Sequence, residues 1–232
     1  LTAFAEKHDH GGSQDPALGG AVRPVDVAPI RDRLIKQAAE ISKRIGVPDT
    51  PKEERLDRVE NSADTATQLA MDARAVRDAF RDMVHAAARA AGGNAKADFG
   101  PGDKYILKQP KKIPEKITRK IEESIEKQKL QGIEKPVTKS RLALLKGFDD
   151  AVRGSLVVDT PEQLGDAVRK FKASVEASGG RVEIDNKWDN DKNPNGYVAV
   201  HAKVLMKTPS GRNVLAELQF HLRGIYDGTM HN

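Results

Sequence analysis

Two segments near the C-terminus alternate aliphatic residues with residues that could do chemistry. Over 197–206, Val198, Val200, Ala202, Val204 and Met206 fall on one parity, and Tyr197, His201 and Lys203 on the other. Over 213–220, Val214, Ala216, Leu218 and Phe220 share one parity, while Glu217 and Gln219, with His221 just beyond, share the other. Side chains alternate faces along a strand, so each segment reads as a strand with an aliphatic core face and a second, polar face. A merely solvated face would carry Lys, Thr and Ser; this one carries Tyr, His, Glu and Gln. Such residues bind bases, coordinate hard cations through a carboxylate, or move protons. Glu217 stands out, because a carboxylate between Ala216 and Leu218 lowers strand propensity.

The elements that must position this face come in the order strand, helix, strand, loop, strand, strand. Residues 152–158 read as a strand. Thr160-Pro161-Glu162-Gln163 is a capping box opening a helix with Leu164, Val168, Phe171 and Val175 on one stripe and Gly179-Gly180 at its end. Residues 181–185 read as a short strand, 189–195 as a polar loop, and Pro209-Ser210-Gly211 as the hairpin joining the last two strands. That order predicts an α/β (α+β) fold, a mixed β-sheet flanked by helices. Upstream, a basic helix is expected over 114–130 and a shorter one over 138–146.

The N-terminal part is helical in pattern. Leu34, Ala38, Ile41 and Ile45 mark a helix over 30–45, and the capping box Thr50-Pro51-Lys52-Glu53 predicts a long second helix. Its stripe runs from Leu56 and Val59 to Ala87, before Gly92-Gly93. Alanine dominates that stripe and suits close helix packing, so 30–92 is expected to form a helical hairpin or bundle. Residues 1–29, with paired Gly and scattered Pro, read as a flexible lead-in. The loop 92–103 reads as the boundary to a C-terminal unit at 103–232.

Composition narrows the chemistry. The 232 residues contain no Cys, which excludes a disulfide framework, a thiolate metal site and a thiol nucleophile. No apolar run approaches the ~20 residues that cross a bilayer, which argues against a membrane anchor. Lys and Arg number 39 against 34 Asp and Glu, a net of +5. The excess is local: residues 101–147 hold thirteen basic and six acidic residues, a net of +7, which leaves −2 elsewhere. A cationic block beside a near-neutral remainder suggests an anionic partner, nucleotide phosphate or RNA. Aromatic residues at 4% disfavour an extended base-stacking surface.

Asn193-Pro194-Asn195-Gly196-Tyr197, then His201, then Glu217-Leu218-Gln219 resemble the signature of RelA/SpoT-type alarmone synthetases. In that family these elements follow an Asp that precedes the first strand; Asp150 stands in that place, ahead of Ser155-Leu156-Val157-Val158. Leu107-Lys108 and Arg119-Lys120-Ile121 resemble the family's upstream basic segment. The resemblance covers about 105–221. It implies a nucleotidyltransferase-like fold that moves pyrophosphate from ATP to a ribose hydroxyl of a guanine or adenine nucleotide, or of a tRNA 3′ end. It implies Mg²⁺ held by Asp150 and Glu217, with Glu217 also the base or orienting acceptor for the attacking hydroxyl and Gln219 beside it in the catalytic set. Tyr197 would stack on the acceptor base, with Asn195, His201 and His221 also binding substrate. Lys108, Lys111, Lys112 and Arg153 would neutralise the triphosphate.

Two departures refine the resemblance. Ser155 lies about where the synthetases have an Arg, although Arg153 shares its face by alternation. Phe220-His221-Leu222 replaces the family's Ile-Arg-Thr and resembles toxin-like modules of secreted, phage-linked or plasmid-borne proteins. That branch implies action in the cytoplasm after delivery, and an immunity or antitoxin protein, or other domains of a larger chain, as partners. Two other readings stay open: a relative that has lost catalysis and binds a nucleotide or partner, and a basic RNA-binding domain whose carboxylates are structural.

Overall fold

The structure, a computed structural model, describes residues 28–56, 59–188 and 198–230. Among these, five strands form one mixed sheet in the order β1-β2-β5-β4-β3. They are β1 (Lys96–Asp98), β2 (Val152–Val158), β3 (Arg181–Asn186), β4 (Val200–Lys207) and β5 (Asn213–Leu222). β2 and β5 run parallel and the other neighbours antiparallel. The helices are α1 (Ala28–Ile45), α2 (Ala66–Ala91), α3 (Lys112–Leu130), α4 (Arg141–Lys146), α5 (Pro161–Ala177) and α6 (Arg223–Met230). The expected mixed sheet with flanking helices is what forms. Among the described residues no helix is long and apolar enough to cross a membrane.

Alternation divides the sheet as the sequence requires. Val152, Leu156 and Val158 of β2, Val200, Ala202 and Val204 of β4, and Val214, Ala216, Leu218 and Phe220 of β5 are all buried in one core. The core is completed by Val76, Phe80 and Val84 of α2 and by Leu164, Val168 and Phe171 of α5, with the Phe171 and Phe220 rings edge to face at 5.7 Å. α5 begins where its capping box stands: Thr160 Oγ1 accepts from the Gln163 amide and the Gln163 side chain accepts from Thr160 N.

Three expectations change on contact with tertiary structure. Thr50-Pro51 opens only a 3-10 turn over Lys52–Glu54, and α2 starts at Ala66 with Thr65 as its N-cap. The Thr50 hydroxyl is engaged elsewhere, accepting from Ile184 N at 2.7 Å while Thr50 N donates to Ile184 O, so the expected cap instead covers the edge strand β3. The loop expected over 92–103 contains β1, three residues pairing antiparallel with β2. α1 and α2 are built onto α5 and the sheet and share their core.

α1 ends against α5 at Gly165, where an added Cβ would stand 2.0 Å from the Ile45 carbonyl oxygen. Arg169 donates to the carbonyls of Ile45 and Gly46 at 3.3 Å, satisfying the end of α1. Gly→Ala in an open helix stabilises by about 1 kcal/mol. Here Gly165→Ala is expected to cost about 1–3 kcal/mol through overpacking, read as a lower urea midpoint at unchanged slope.

Candidate active site

Two rows of polar and charged residues cross the second face of the sheet. Asp98, Ser155, Gln219, His201 and Asp185 are successive register partners in one row across all five strands. Arg153, Glu217, Lys203 and Glu183 form the next row. Glu217 thus lies between Arg153 on the parallel neighbour and Lys203 on the antiparallel one. His201 Nδ1 lies 3.0 Å from Glu217 Oε1, and Gln219 Nε2 donates to Glu217 Oε2 at 3.0 Å. Burial alone would push the Glu217 carboxyl up. The hydrogen bond and attraction of His201, with the Gln219 amide, outweigh it and hold the carboxyl below its ordinary value. Asp150 is close enough for its negative charge to act on Glu217 in the opposite direction.

Asp150 reaches that neighbourhood from the turn before β2. Buried Asn61 braces the turn: its Nδ2 donates to the carbonyls of Phe148 and Leu145, and its Oδ1 accepts from Leu215 N of β5. Asp150 is 5% exposed. Lys108 Nζ and Lys116 Nζ both stand 2.6 Å from its Oδ2, and Oδ1 is buried with no hydrogen-bond partner. Desolvation would raise the Asp150 carboxyl; the two lysines overcome it and lower it. Lys108 in turn is lowered, burial outweighing the pull of Asp150, with Lys116 and Arg153 adding repulsion. Lys108 is delivered by the segment before α3, whose Leu107 bridges Val152 at the start of β2.

Beside this cluster a cleft of about 470 Å³ opens between the segment 104–109, α3 and β2. Six cations line it, Lys104, Lys108, Lys112, Lys116, Arg119 and Arg153, against the single carboxylate Glu115. Lys112, Lys116 and Arg119 stand at i, i+4 and i+7, one face of α3. Tyr105, also in the lining, is an exposed aromatic ring seated across Gly100, which has φ +75°. A Cβ on Gly100 would come within 1.9 Å of that ring, so the glycine makes the seat. The volume lies within the range of small-molecule sites.

The residues expected from sequence therefore distribute unevenly. Glu217, Gln219 and His201 meet on the sheet, and Asp150, held by Lys108 and Lys116, acts on Glu217 through its charge. Lys108, Lys112 and Arg153 line the adjoining cleft, whereas Lys111 is exposed at the start of α3 and does not. Tyr197 and Asn195 lie outside the described residues, as does the loop 189–195. His221 is buried rather than presented to a ligand: its Nε2 is 3.3 Å from Gln219 Oε1 and its ring packs on Tyr226 of α6 at 4.9 Å. Ser155 interacts with Tyr226, whose hydroxyl also meets Asp98. Reading the residues alone overlooked Lys104, Tyr105, Lys116 and Tyr226. The i, i+4, i+7 spacing of Lys112, Lys116 and Arg119 was the available signal for the cleft; Tyr226 left none, since α6 follows β5 without a turn residue.

Burial lowers His221 to about 4, and the nearby His201 adds to this. The folded value lies below the unfolded 6.5, so between the two the unfolded chain binds the extra proton. Stability is expected to fall by up to about 3 kcal/mol as pH drops from 6.5 to 4, with no such loss above 6.5. His221→Asn should remove that part of the acid slope in urea titrations at a series of pH values. An unchanged slope would contradict a buried, neutral imidazole.

The donor set suits Mg²⁺. Among the described residues no three His, Cys, Asp or Glu side chains gather into a metal cage. Mg²⁺ is commonly held by one or two carboxylates plus substrate phosphates and water. Asp150 Oδ1, buried and without a hydrogen-bond partner, and the Glu217 carboxylate are oxygen donors of that kind.

No family model and no curated protein matches the sequence. Among solved structures the chain is similar to the Type VI effector Tas1, in the crystal structure of its complex with its immunity protein. That likeness has 18% identity, covers 67% of this chain and 60% of that one, and has a TM-score of 0.36. The chain is also similar to small alarmone synthetase 1 from Bacillus subtilis, at 15% identity over 68% of this chain and 72% of that one, with a TM-score of 0.43. The match thus spans about 60% of the effector's length.

Proposed function

We propose that this chain transfers pyrophosphate from ATP to a ribose hydroxyl of an acceptor, a guanine or adenine nucleotide or a tRNA 3′ end. The observation that carries the reading is a cleft lined by six cations, of which Lys108 and Lys116 pair with the Asp150 carboxylate and Arg153 is the strand neighbour of Glu217. The sequence resemblance over 105–221 supplies the reaction class. Phosphoryl-type transfer is mostly positioning and charge stabilisation, which is what such a cleft offers.

Lys112, Lys116, Arg119 and Arg153 neutralise the triphosphate, and Tyr105 offers a ring face to the adenine. The acceptor oxygen attacks the β-phosphorus, the bond from that phosphorus to the α,β-bridging oxygen breaks, and AMP leaves. Glu217, aligned by His201 and Gln219, takes the hydroxyl proton. Asp150 and Glu217 would hold Mg²⁺, which supplies charge neutralisation to the phosphate oxygens. Tyr197 is assigned to the acceptor base and Asn195 to substrate binding beside it in the sequence. The chain acts in the cytoplasm as a toxin-like module of a larger protein, with an immunity protein as its partner.

One observation favours a second reading. Asp150 is already clasped by two lysines, as suits a site that binds nucleotide without transfer. The two separate in one assay, with Mg²⁺, ATP labelled at the γ-position, and GDP, GTP, ADP, ATP or bulk tRNA as acceptor. Transfer predicts label in one acceptor and AMP in equal amount. ATP binding with no AMP formed identifies the binding module. RNA binding that is steeply salt-dependent and indifferent to Glu217→Ala would point instead to an RNA-binding domain.

A further inference from the structure

Lys108 and Lys116 converge on one oxygen of Asp150 at 2.6 Å, while the other oxygen is buried with no partner. Two cations on one side of a carboxylate and none on the other is an uneven arrangement for a group 5% exposed. Both lysines also line the cleft, and both ammonium groups stand over the Phe148 ring, at 5.7 and 5.1 Å from its centroid. They are therefore counter-ions to Asp150 and cleft cations at once. Lysine is suited to such exchange, being a compact charge on a flexible four-carbon stem.

The geometry points to an exchangeable ion pair that couples polyphosphate binding to divalent-cation binding, an inference that rests on the nucleotide reading of the cleft. A divalent cation arriving alone meets a carboxylate already held by two ammonium groups, and like charges repel at that range. A polyphosphate arriving alone draws the lysines toward itself and strips a buried carboxylate of its counter-charges. Together they exchange partners: the lysines turn to phosphate oxygens, Asp150 takes the cation, and no charge stays buried alone. The two ligands then bind cooperatively, each favouring the other by the same factor.

The test follows protein-bound Mn²⁺ by electron paramagnetic resonance on the full chain, without nucleotide and with inorganic tripolyphosphate. Wild type is expected to bind Mn²⁺ weakly alone and to gain Asp150-dependent binding when tripolyphosphate is added. K108Q/K116Q is expected to bind Mn²⁺ alone about tenfold or more tighter than wild type, with K116Q intermediate. D150N should abolish each gain. Equal Mn²⁺ affinity in wild type and both lysine variants, or a gain that survives D150N, overturns the proposal. If the double variant fails to fold by circular dichroism, K116Q alone decides in the same way. The readout needs no transfer. A chain that moves no pyrophosphate yet shows the Asp150-dependent gain keeps this coupling and loses the enzymatic reading, and the reverse outcome does the opposite.

Discussion

Glu217→Gln is expected to slow AMP formation from ATP by about 10²–10⁴-fold, the usual worth of a positioned general base. The substitution keeps size and an acceptor oxygen for His201, so the strand pairing of Glu217 with Arg153 and Lys203 should persist. Under the proposed transfer, what it removes is the charge that would accept the ribose proton and attract the cation. The cleft cations lie on other elements, so nucleotide binding through them is retained. Initial rates at saturating ATP, with binding measured separately, distinguish the two effects. A variant retaining more than about a tenth of the wild-type rate would assign the proton to another group.

The second large effect concerns stability. Lys108→Met combined with Lys116→Met leaves Asp150 buried without a counter-charge, and breaking a buried pair in this way costs about 3–5 kcal/mol. The sign of the pH dependence separates this from simple loss of packing. In the wild type the Asp150 carboxyl is held below its unfolded value, so its contribution is present above the unfolded value and is lost as pH falls through the folded one. In the double variant burial acts unopposed and raises that carboxyl above its unfolded value. The variant therefore regains part of its deficit on acidification, where the wild type loses stability. Urea midpoints at a series of pH values measure both slopes; parallel curves would mean that the lysines do not carry the charge of Asp150.

How far the molecule was legible in its sequence follows from how local each signal is. β4 and β5 were readable because alternation over eight to ten residues is a long signal, and the same alternation placed His201, Glu217 and Gln219 on one face. α5 was readable because both halves of its capping box are contiguous. β1 was not: three residues after a glycine turn become a strand only because β2 offers an open edge. Thr50 misled because the hydroxyl that caps a helix serves a strand edge equally well, and the β3 amide that it meets is 134 positions away. Asp150 could be named only through resemblance, since the two lysines that define its surroundings come from the segment before α3 and from α3 itself. The cleft was visible as net charge, and Lys108, Lys112 and Arg153 could be grouped only through resemblance, because Arg153 joins the lysines where Leu107 bridges Val152. His221 is a ligand candidate by its type, and only the structure places it buried against Tyr226 with its ring nitrogen beside Gln219.

A crystal structure with Mn²⁺ and an ATP analogue carrying a methylene group between its α and β phosphates bears most directly on the proposed joint binding of the cation by Asp150 and Glu217. An anomalous peak coordinated by both carboxylates, with the phosphate chain against Lys112, Arg119 and Arg153, is the predicted outcome. Mn²⁺ bound away from either acid, or the analogue lodged outside the cleft, would contradict it.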